Sequence, residues 1–372
     1  MIIGILKEIK QEEHRVAMTP AGVELMRHRG HTILVEKSAG RDSGYEDLRY
    51  REAGAEIVPT PEEIFKRSDM VMHVKEPLKS EYGLLRPGQI LFTYLHLAAN
   101  KELTDALVKS GAVCIAYETI QKPDRSLPLL TPMSEVAGRM AVQEAAKYLE
   151  MINGGQGILL GGVPGVAPAN VLIIGGGVVG VNAAKMACGL GASVTLLDMD
   201  LNRLRYLSDV MPKNCFLLMS TPAAIRELAR TADVVIGAVL LPGARAPRLV
   251  TRDMLKTMKP GAVLVDVAID QGGCFETSRP TTHGQPTFIE EGVVHYCVAN
   301  MPGAVAKTST QALTNATLPY ALEIADKGWR RAMIENAEIR GGANIIAGQI
   351  TCRGVAEAFA AECVMIESLL AN

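Results

Sequence analysis

The sequence predicts an α/β protein of two doubly wound domains, the first discontinuous and completed by C-terminal helices. Three observations carry this expectation. Short apolar or β-branched runs alternate with helix-like segments along most of the chain. The runs read as strands buried on both faces, which implies parallel sheets covered by helices. And 372 residues, 48% of them hydrophobic and 21% charged, are too many for one ordinary core.

In residues 1–130 the strand candidates are "IIGIL", "TILVE", "MVMHVK", "QILFTYLH" and "AVCIAYE". A helix is expected from about Thr19 or Pro20. Residues 131–151, "TPMSEVAGRMAVQEAAKYLEM", open with a proline near the start and keep helical periodicity, so they read as a connecting helix. Residues 153–170 are dense in Gly and Pro and form either a loop or a hairpin. Strands are then expected near 171–174, 194–197, 215–219, 234–238, 263–267 and 293–298, six units of one doubly wound sheet. After Pro302 the pattern is helical with no further strand run, and these helices are expected to return to the first domain. The expected domains are therefore 1–130 with 303–372, and 152–302, connected by the 131–151 helix and separated by a crevice.

The stretch "VLIIGGGVVGVNAAKMACGLGASVTLLDMD", residues 171–200, gives the second domain a task. Gly175, Gly177 and Gly180 make G-x-G-x-x-G between a strand and a helix. The first glycine permits the tight turn, the second lets backbone amides approach a pyrophosphate, and the third lets the helix pack on the sheet. The next strand ends in Asp198, whose carboxylate can accept hydrogen bonds from adenosine ribose hydroxyls. This is the pattern of a Rossmann-like dinucleotide domain. The acid repels a 2′-phosphate, although Arg203 and Arg205 stand nearby, and the cofactor expected is NAD rather than NADP.

Composition removes other classes. Lys+Arg 38 against Asp+Glu 40 gives a net charge of -2, which leaves no basic field for nucleic acid or an anionic membrane surface. A small-molecule substrate is expected instead. The seven cysteines are scattered and never in C-x-x-C spacing, so neither a disulfide framework nor a zinc site is indicated, and a reducing cytoplasm fits. The opening "MIIGILKEIK" reads as a first strand, not as a secretory leader. Residues 157–174 are weakly polar but broken by Pro164, Pro168 and several glycines, which argues against a membrane span.

Ligands of open α/β sheets sit beyond the carboxyl ends of the strands. Candidate strands here end at Lys75, His96, Glu118, Asp270 and Asn300. One polar residue where a chain leaves a sheet is ordinary. Five together point to a site for a small acid. His96 is the most informative, since an imidazole can take and return a proton near neutral pH. Arg15, between the first strand and the first helix, could hold a carboxylate in bidentate fashion. His14, His28, His31, His73, His283 and His295 show no metal spacing.

Taken together, "GILKEIKQEEHRVAMTPAGVELMRHRG", "VKEP", "LFTYLHLA", "LLTPMSEVAGRMA", "VLIIGGGVVG", "VDVAIDQGG" and "VANMPGAV" resemble the alanine dehydrogenase family, almost end to end and in its order and spacing. The resemblance implies that Arg15 and Lys75 hold the carboxylate and carbonyl of pyruvate, with Asn300 beside the substrate, and that His96 and Asp270 perform acid-base work. It implies an NAD site at Ser134, Gly175, Gly177, Val178, Val179, Gly180, Asp198, Arg203, Ser220, Val239 and Leu240. The site would continue through Val267, Ala268, Ile269, Asp270, Arg279, Val298, Ala299, Asn300 and Met301. The reaction implied is reversible oxidative deamination of L-alanine to pyruvate and ammonia by a homo-oligomer, a hexamer in the family. Glu12 stands where asparagine is common, and Lys327 where some relatives carry a metal-binding histidine four residues after a glutamate, here Glu323; no metal is expected. A related transhydrogenase subunit, which exchanges hydride between nicotinamides, is the alternative, and a non-catalytic NAD sensor a third.

Overall fold

Six short strands open the chain: β1 (Ile2–Ile5), β2 (Thr32–Glu36), β3 (Glu56–Val58), β4 (Met70–Met72), β5 (Ile90–Thr93) and β6 (Val113–Ala116). Seven follow the long helix Thr131–Tyr148: β7 (Asn170–Ile174), β8 (Ser193–Asp198), β9 (Cys215–Met219), β10 (Val234–Gly237), β11 (Val263–Asp266), β12 (Thr287–Glu290) and β13 (Val293–Tyr296). A final pair, β14 (Ala343–Ile346) and β15 (Gln349–Ile350), comes after the helices Ala306–Lys327, Trp329–Glu335 and Ala337–Gly341. The computed structural model describes residues 1–239 and 247–371. They fall into two compact units, Met1–Met133 with Gly303–Asn372, and Ser134–Pro302.

The first unit holds one sheet in the order β15-β14-β6-β5-β4-β1-β2-β3. β1 to β6 pair in parallel, and β14 joins β6 antiparallel. Every residue of β4, β5 and β6 is buried, which is why these strands read as continuous apolar runs. The helix Pro20–His28 starts where expected: Thr19 caps it by accepting from the Gly22 N–H at 3.3 Å, with Pro20 at the first helical position. The expectation of no strand after Pro302 is overturned by β14 and β15. Four and two residues long, they are too short to carry a periodic signal, and partners far away in sequence hold them extended.

The second unit holds a sheet in the order β12-β13-β11-β10-β7-β8-β9. All pairs are parallel except β12 with β13. The sheet has seven strands where six were expected. The extra strand, β12, is a half-exposed antiparallel edge turned back from β13 through Glu291 and Gly292, both with positive φ. The Gly/Pro-rich segment after the long helix contains a single antiparallel bridge between Val163 and Val166, so of the two alternatives it is closer to a hairpin.

Candidate functional site

The first sheet changes its direction of growth at β1. β2 and β3 lie on one side of it, and β4, β5 and β6 on the other. Loops leaving the carboxyl ends of strands on either side of such a switch point diverge and leave room for a ligand. The loop after β1 carries Arg15, that after β4 carries Lys75, and that after β5 carries His96. β4 and β5 are shorter than expected, so Lys75 and His96 each sit three residues into a loop rather than on the last strand position, while Arg15 lies ten residues beyond β1, in the loop where it was expected.

Each of the three is set by a carboxylate. Arg15 is 2% exposed, and its Nε and Nη2 donate to Glu13 Oε1 and Oε2 at 2.6 and 2.5 Å, a bidentate pair. Nη1 lies 3.0 Å from the Met133 sulfur. Burial pushes the Glu13 carboxyl up, but the hydrogen bonds and charge of Arg15, with help from Lys75, hold it at about 2. Lys75 follows a buried relay. Glu8 accepts from the N–H of Val74 at 2.6 Å and of Lys75 at 3.3 Å, and from His73 Nδ1 at 2.7 Å, while His73 Nε2 meets Glu81 at 3.0 Å. Burial disfavours charge on His73, yet the two carboxylates hold its pKa well above the usual range, so it is an imidazolium that braces the loop. The Glu118 carboxylate accepts from the N–H of Leu95 at 3.1 Å and of His96 at 2.6 Å. It fixes His96 in a left-handed conformation, φ 49° and ψ 36°, of the kind that clusters at functional positions. The imidazole is half exposed, with Nδ1 3.6 Å from Glu76 Oε2. Glu12 has φ 59°, which asparagine adopts more readily than glutamate.

In the second unit the switch point lies between β7 and β10. Gly175 follows β7 with φ 108°, and a Cβ there would come 2.6 Å from the Ala238 carbonyl. A Cβ on Gly180 would lie 1.8 Å from the Gly175 oxygen, so helix Val178–Gly189 could not close on the turn with any other residue. Around a Cβ on Gly177 there is no atom within 4 Å among the described residues, so the space a pyrophosphate needs is there. Asp198 accepts from the N–H of Gly176 at 2.7 Å and of Asp200 at 2.8 Å, and Arg203 Nε donates to the Gly176 carbonyl at 2.7 Å. These groups fit an adenosine ribose and diphosphate. Ser220, whose N–H donates to the Asp198 carbonyl at 2.8 Å, continues that edge. Val178 and Val179 begin the helix, and Ser134 lies in the first turn of Thr131–Tyr148, which is tied to it by Arg139 Nε donating to Asn182 Oδ1 at 3.1 Å.

The remaining positions leave the same carboxyl edge. Val239 follows β10; Val267, Ala268, Ile269 and Asp270 follow β11; Val298, Ala299, Asn300 and Met301 follow β13. Leu240 lies outside the described residues. Asp270 is exposed on a short 3₁₀ turn, Ile269–Gln271, whose base is gathered by buried Asp266. Asp266 accepts from the N–H groups of Ala268 at 3.1 Å, Cys274 at 2.9 Å and Phe275 at 3.3 Å, and from Ser278 Oγ at 2.5 Å. Asn300 has φ 60°, and its carbonyl accepts from His283 Nε2 at 3.3 Å. Arg279 is exposed and stacks on Phe288, 4.2 Å from the ring centroid.

Comparison with known proteins decides the family. Residues 4–137 match the family model "Alanine dehydrogenase/PNT, N-terminal domain" and residues 141–353 its C-terminal counterpart. The chain is 56% identical to an alanine dehydrogenase of Halomonas elongata over 370 residues, 100% of both chains, and 56% identical to that of Methanococcus maripaludis over 96% of both. The chain belongs to the alanine dehydrogenase/PNT family. Among solved structures, an L-alanine dehydrogenase superposes with a TM-score of 0.94 at 50% identity, covering 97% of this chain and 99% of that one. A transhydrogenase from Sinorhizobium meliloti gives 0.82 at 25% identity, covering 95% and 99%.

Within this family fold, the structure gathers Arg15, Lys75 and His96 on one sheet edge and the glycine turn, Asp198 and the 267–270 loop on another. Glu13, Glu8, Glu76 and Asp266, which hold these groups in place, lie within the stretches that resemble the family but were not expected to have a role. The only local signal is adjacency: "EEHR" sets Glu13 two residues before Arg15, and "VKEP" sets Glu76 next to Lys75. At Glu323 and Lys327 the lysine ammonium itself occupies the acidic cluster, 2.8 Å from Glu323 and 2.9 Å from Glu335. No described helix is long and apolar enough to cross a membrane.

Proposed function

We propose that this protein is an NAD-dependent L-alanine dehydrogenase that converts L-alanine and water to pyruvate and ammonia, reversibly. The observation that carries this reading is the set of Arg15, Lys75 and His96 at the switch point of the first sheet. A guanidinium, an ammonium and an imidazole there suit a small 2-oxo acid or amino acid. A transhydrogenase-type module that only exchanges hydride between nicotinamides needs no carboxylate clamp or proton carrier, and an NAD sensor would leave all three without a task.

In this reading Arg15 binds the substrate carboxylate and Lys75 polarises the pyruvate carbonyl. The nicotinamide cofactor supplies the acceptor for the hydrogen that leaves Cα with its electron pair. His96 takes a proton as water adds to the resulting iminium carbon and returns it as ammonia departs. Asp270, on the turn gathered by Asp266, orients the amine or relays its proton, and Asn300 borders the substrate. Asp198 selects NAD, because its carboxylate accepts ribose hydroxyls and repels a 2′-phosphate.

All seven cysteines are free, which supports a reducing, cytoplasmic setting. A homo-oligomer is supported by exposed apolar side chains at Met151, Ile152, Leu159, Val163 and Val166, and the family resemblance makes it a hexamer. The deciding experiment is alanine-dependent NADH production by the purified protein alone, with His96→Asn and Asp270→Asn alongside. Turnover should fall by roughly 10² to 10⁴-fold in each, while His96→Asn still binds NAD in a separate titration. Near-native turnover in His96→Asn would remove the histidine from the mechanism.

A further inference from the structure

Glu76 follows Lys75 directly, and its largely buried side chain lies beside His96. One of its oxygens, Oε1, accepts from the Lys10 ammonium. The other, Oε2, is buried and has no hydrogen-bond partner among the described residues. A buried carboxylate oxygen without a donor is costly, and such atoms are rare in folded proteins. His96 Nδ1 stands 3.6 Å from it, just beyond hydrogen-bond length. The imidazole is half exposed, which leaves its ring room to turn.

We propose that Glu76 is the positioning residue for His96, fixing its tautomer and facing the charge the ring gains when it takes a proton, with Lys10 setting how much of the carboxylate's charge the imidazole feels. The proposal rests on the reading of His96 as the proton carrier and deepens it. With Nδ1–H donating to Glu76, the lone pair of a neutral imidazole is placed on Nε2, the nitrogen left to take a proton from the substrate. When that proton arrives, the adjacent carboxylate stabilises the imidazolium. The charge on Glu76 is secure: burial works to raise its carboxyl, but His96 and Lys10 together hold it at about 2. The other groups meeting His96 do not substitute for it. Glu118 bonds the backbone N–H. Tyr94, whose ring centroid is 5.9 Å away, is kept protonated by burial.

Two substitutions should act in opposite directions. Glu76→Gln removes the negative charge, so the His96 limb of the pH profile for alanine oxidation should move to lower pH, with kcat reduced about 10-fold or more. Lys10→Met unmasks the same carboxylate, so that limb should move to higher pH. Glu76→Asp should restore part of the rate, and NADH binding, measured by fluorescence, should be unchanged in all three. The proposal is overturned if the limb stays in place in both variants or moves the same way in both. Should Glu76→Gln fail to fold, Lys10→Met decides alone, because Lys10 is 40% exposed and its removal leaves the core intact. His96→Asn separates the two levels. If it retains the limb, the reading of His96 itself falls. If it abolishes the limb while Glu76→Gln leaves it unmoved, only the role of Glu76 falls.

Discussion

Replacing Glu13 by glutamine should cost this protein more stability than its position in a loop suggests. The Glu13 carboxylate is wholly buried and Arg15 nearly so, and they are joined by two short hydrogen bonds. A carboxyl held at about 2 against an ordinary 4.5 corresponds to about 3 kcal/mol of folded-state stabilisation at neutral pH. Glu13→Gln forfeits that and leaves a guanidinium buried against a neutral amide, so the total loss should be about 3–5 kcal/mol. The sign with pH follows from the lowered pKa. The contribution is fully present above about 4.5 and is lost as pH falls towards about 2. Urea unfolding followed by circular dichroism should therefore show a full gap between wild type and variant at pH 7 that narrows below pH ~4.5. The double variant Glu13→Gln/Arg15→Met should recover much of the loss, since the buried guanidinium is gone, while alanine turnover should be lost with Arg15. A gap under about 1 kcal/mol at pH 7, or one that does not change on acidification, would show that the pair is solvated and the derivation from burial wrong.

Asp198→Ala should weaken NAD binding by about 1.5–3 kcal/mol per charge-assisted bond lost and narrow the preference over NADP; competitive titration of both cofactors checks this, and an unchanged preference would remove Asp198 from the ribose. Gly177→Val should abolish NAD binding with little change in melting temperature, because its side chain enters empty space. Gly180→Ala should lower both, since its Cβ meets the Gly175 carbonyl at 1.8 Å. Asp266→Asn replaces one acceptor oxygen with a donor facing backbone N–H groups; proteolysis within 267–279 should quicken and kcat fall while NAD affinity changes less, and a rigid, fully active variant would show that the loop orders itself without the charge.

Much of this was legible because the relevant signals are local. The glycine turn, its flanking strands and Asp198 occupy thirty consecutive residues, and close packing at Gly175 and Gly180 forces the same residue type on any chain that makes that turn. Lys75 and His96 were visible because β4 and β5 are apolar until they leave the sheet. What escaped was set by distance. β3 and β12 are three- and four-residue edges whose extended backbone is fixed by a neighbour, and β14 depends on β6, more than 220 residues earlier. The carboxylates escaped for a different reason. Glu8 meets His73 across 65 residues, and in a chain with 40 acidic residues nothing local separates a buried acid from a solvated one.

The antiparallel pairing of β14 with β6 also sets an order of events during synthesis. A chain leaves the ribosome N-terminal end first, at about 5–20 residues per second, so β6 waits roughly 10–50 s for the strand that covers its edge. Until then the first sheet ends in an unpaired row of backbone donors and acceptors, the kind of edge that recruits other chains. The second unit needs nothing beyond Pro302 and can close while the first is still open. The Arg15 loop is late as well, because the Val16 N–H donates to Thr310 Oγ1 at 3.1 Å and Ser43 Oγ meets the same hydroxyl at 2.9 Å. The nascent chain can therefore complete its glycine turn before it completes the Arg15 loop.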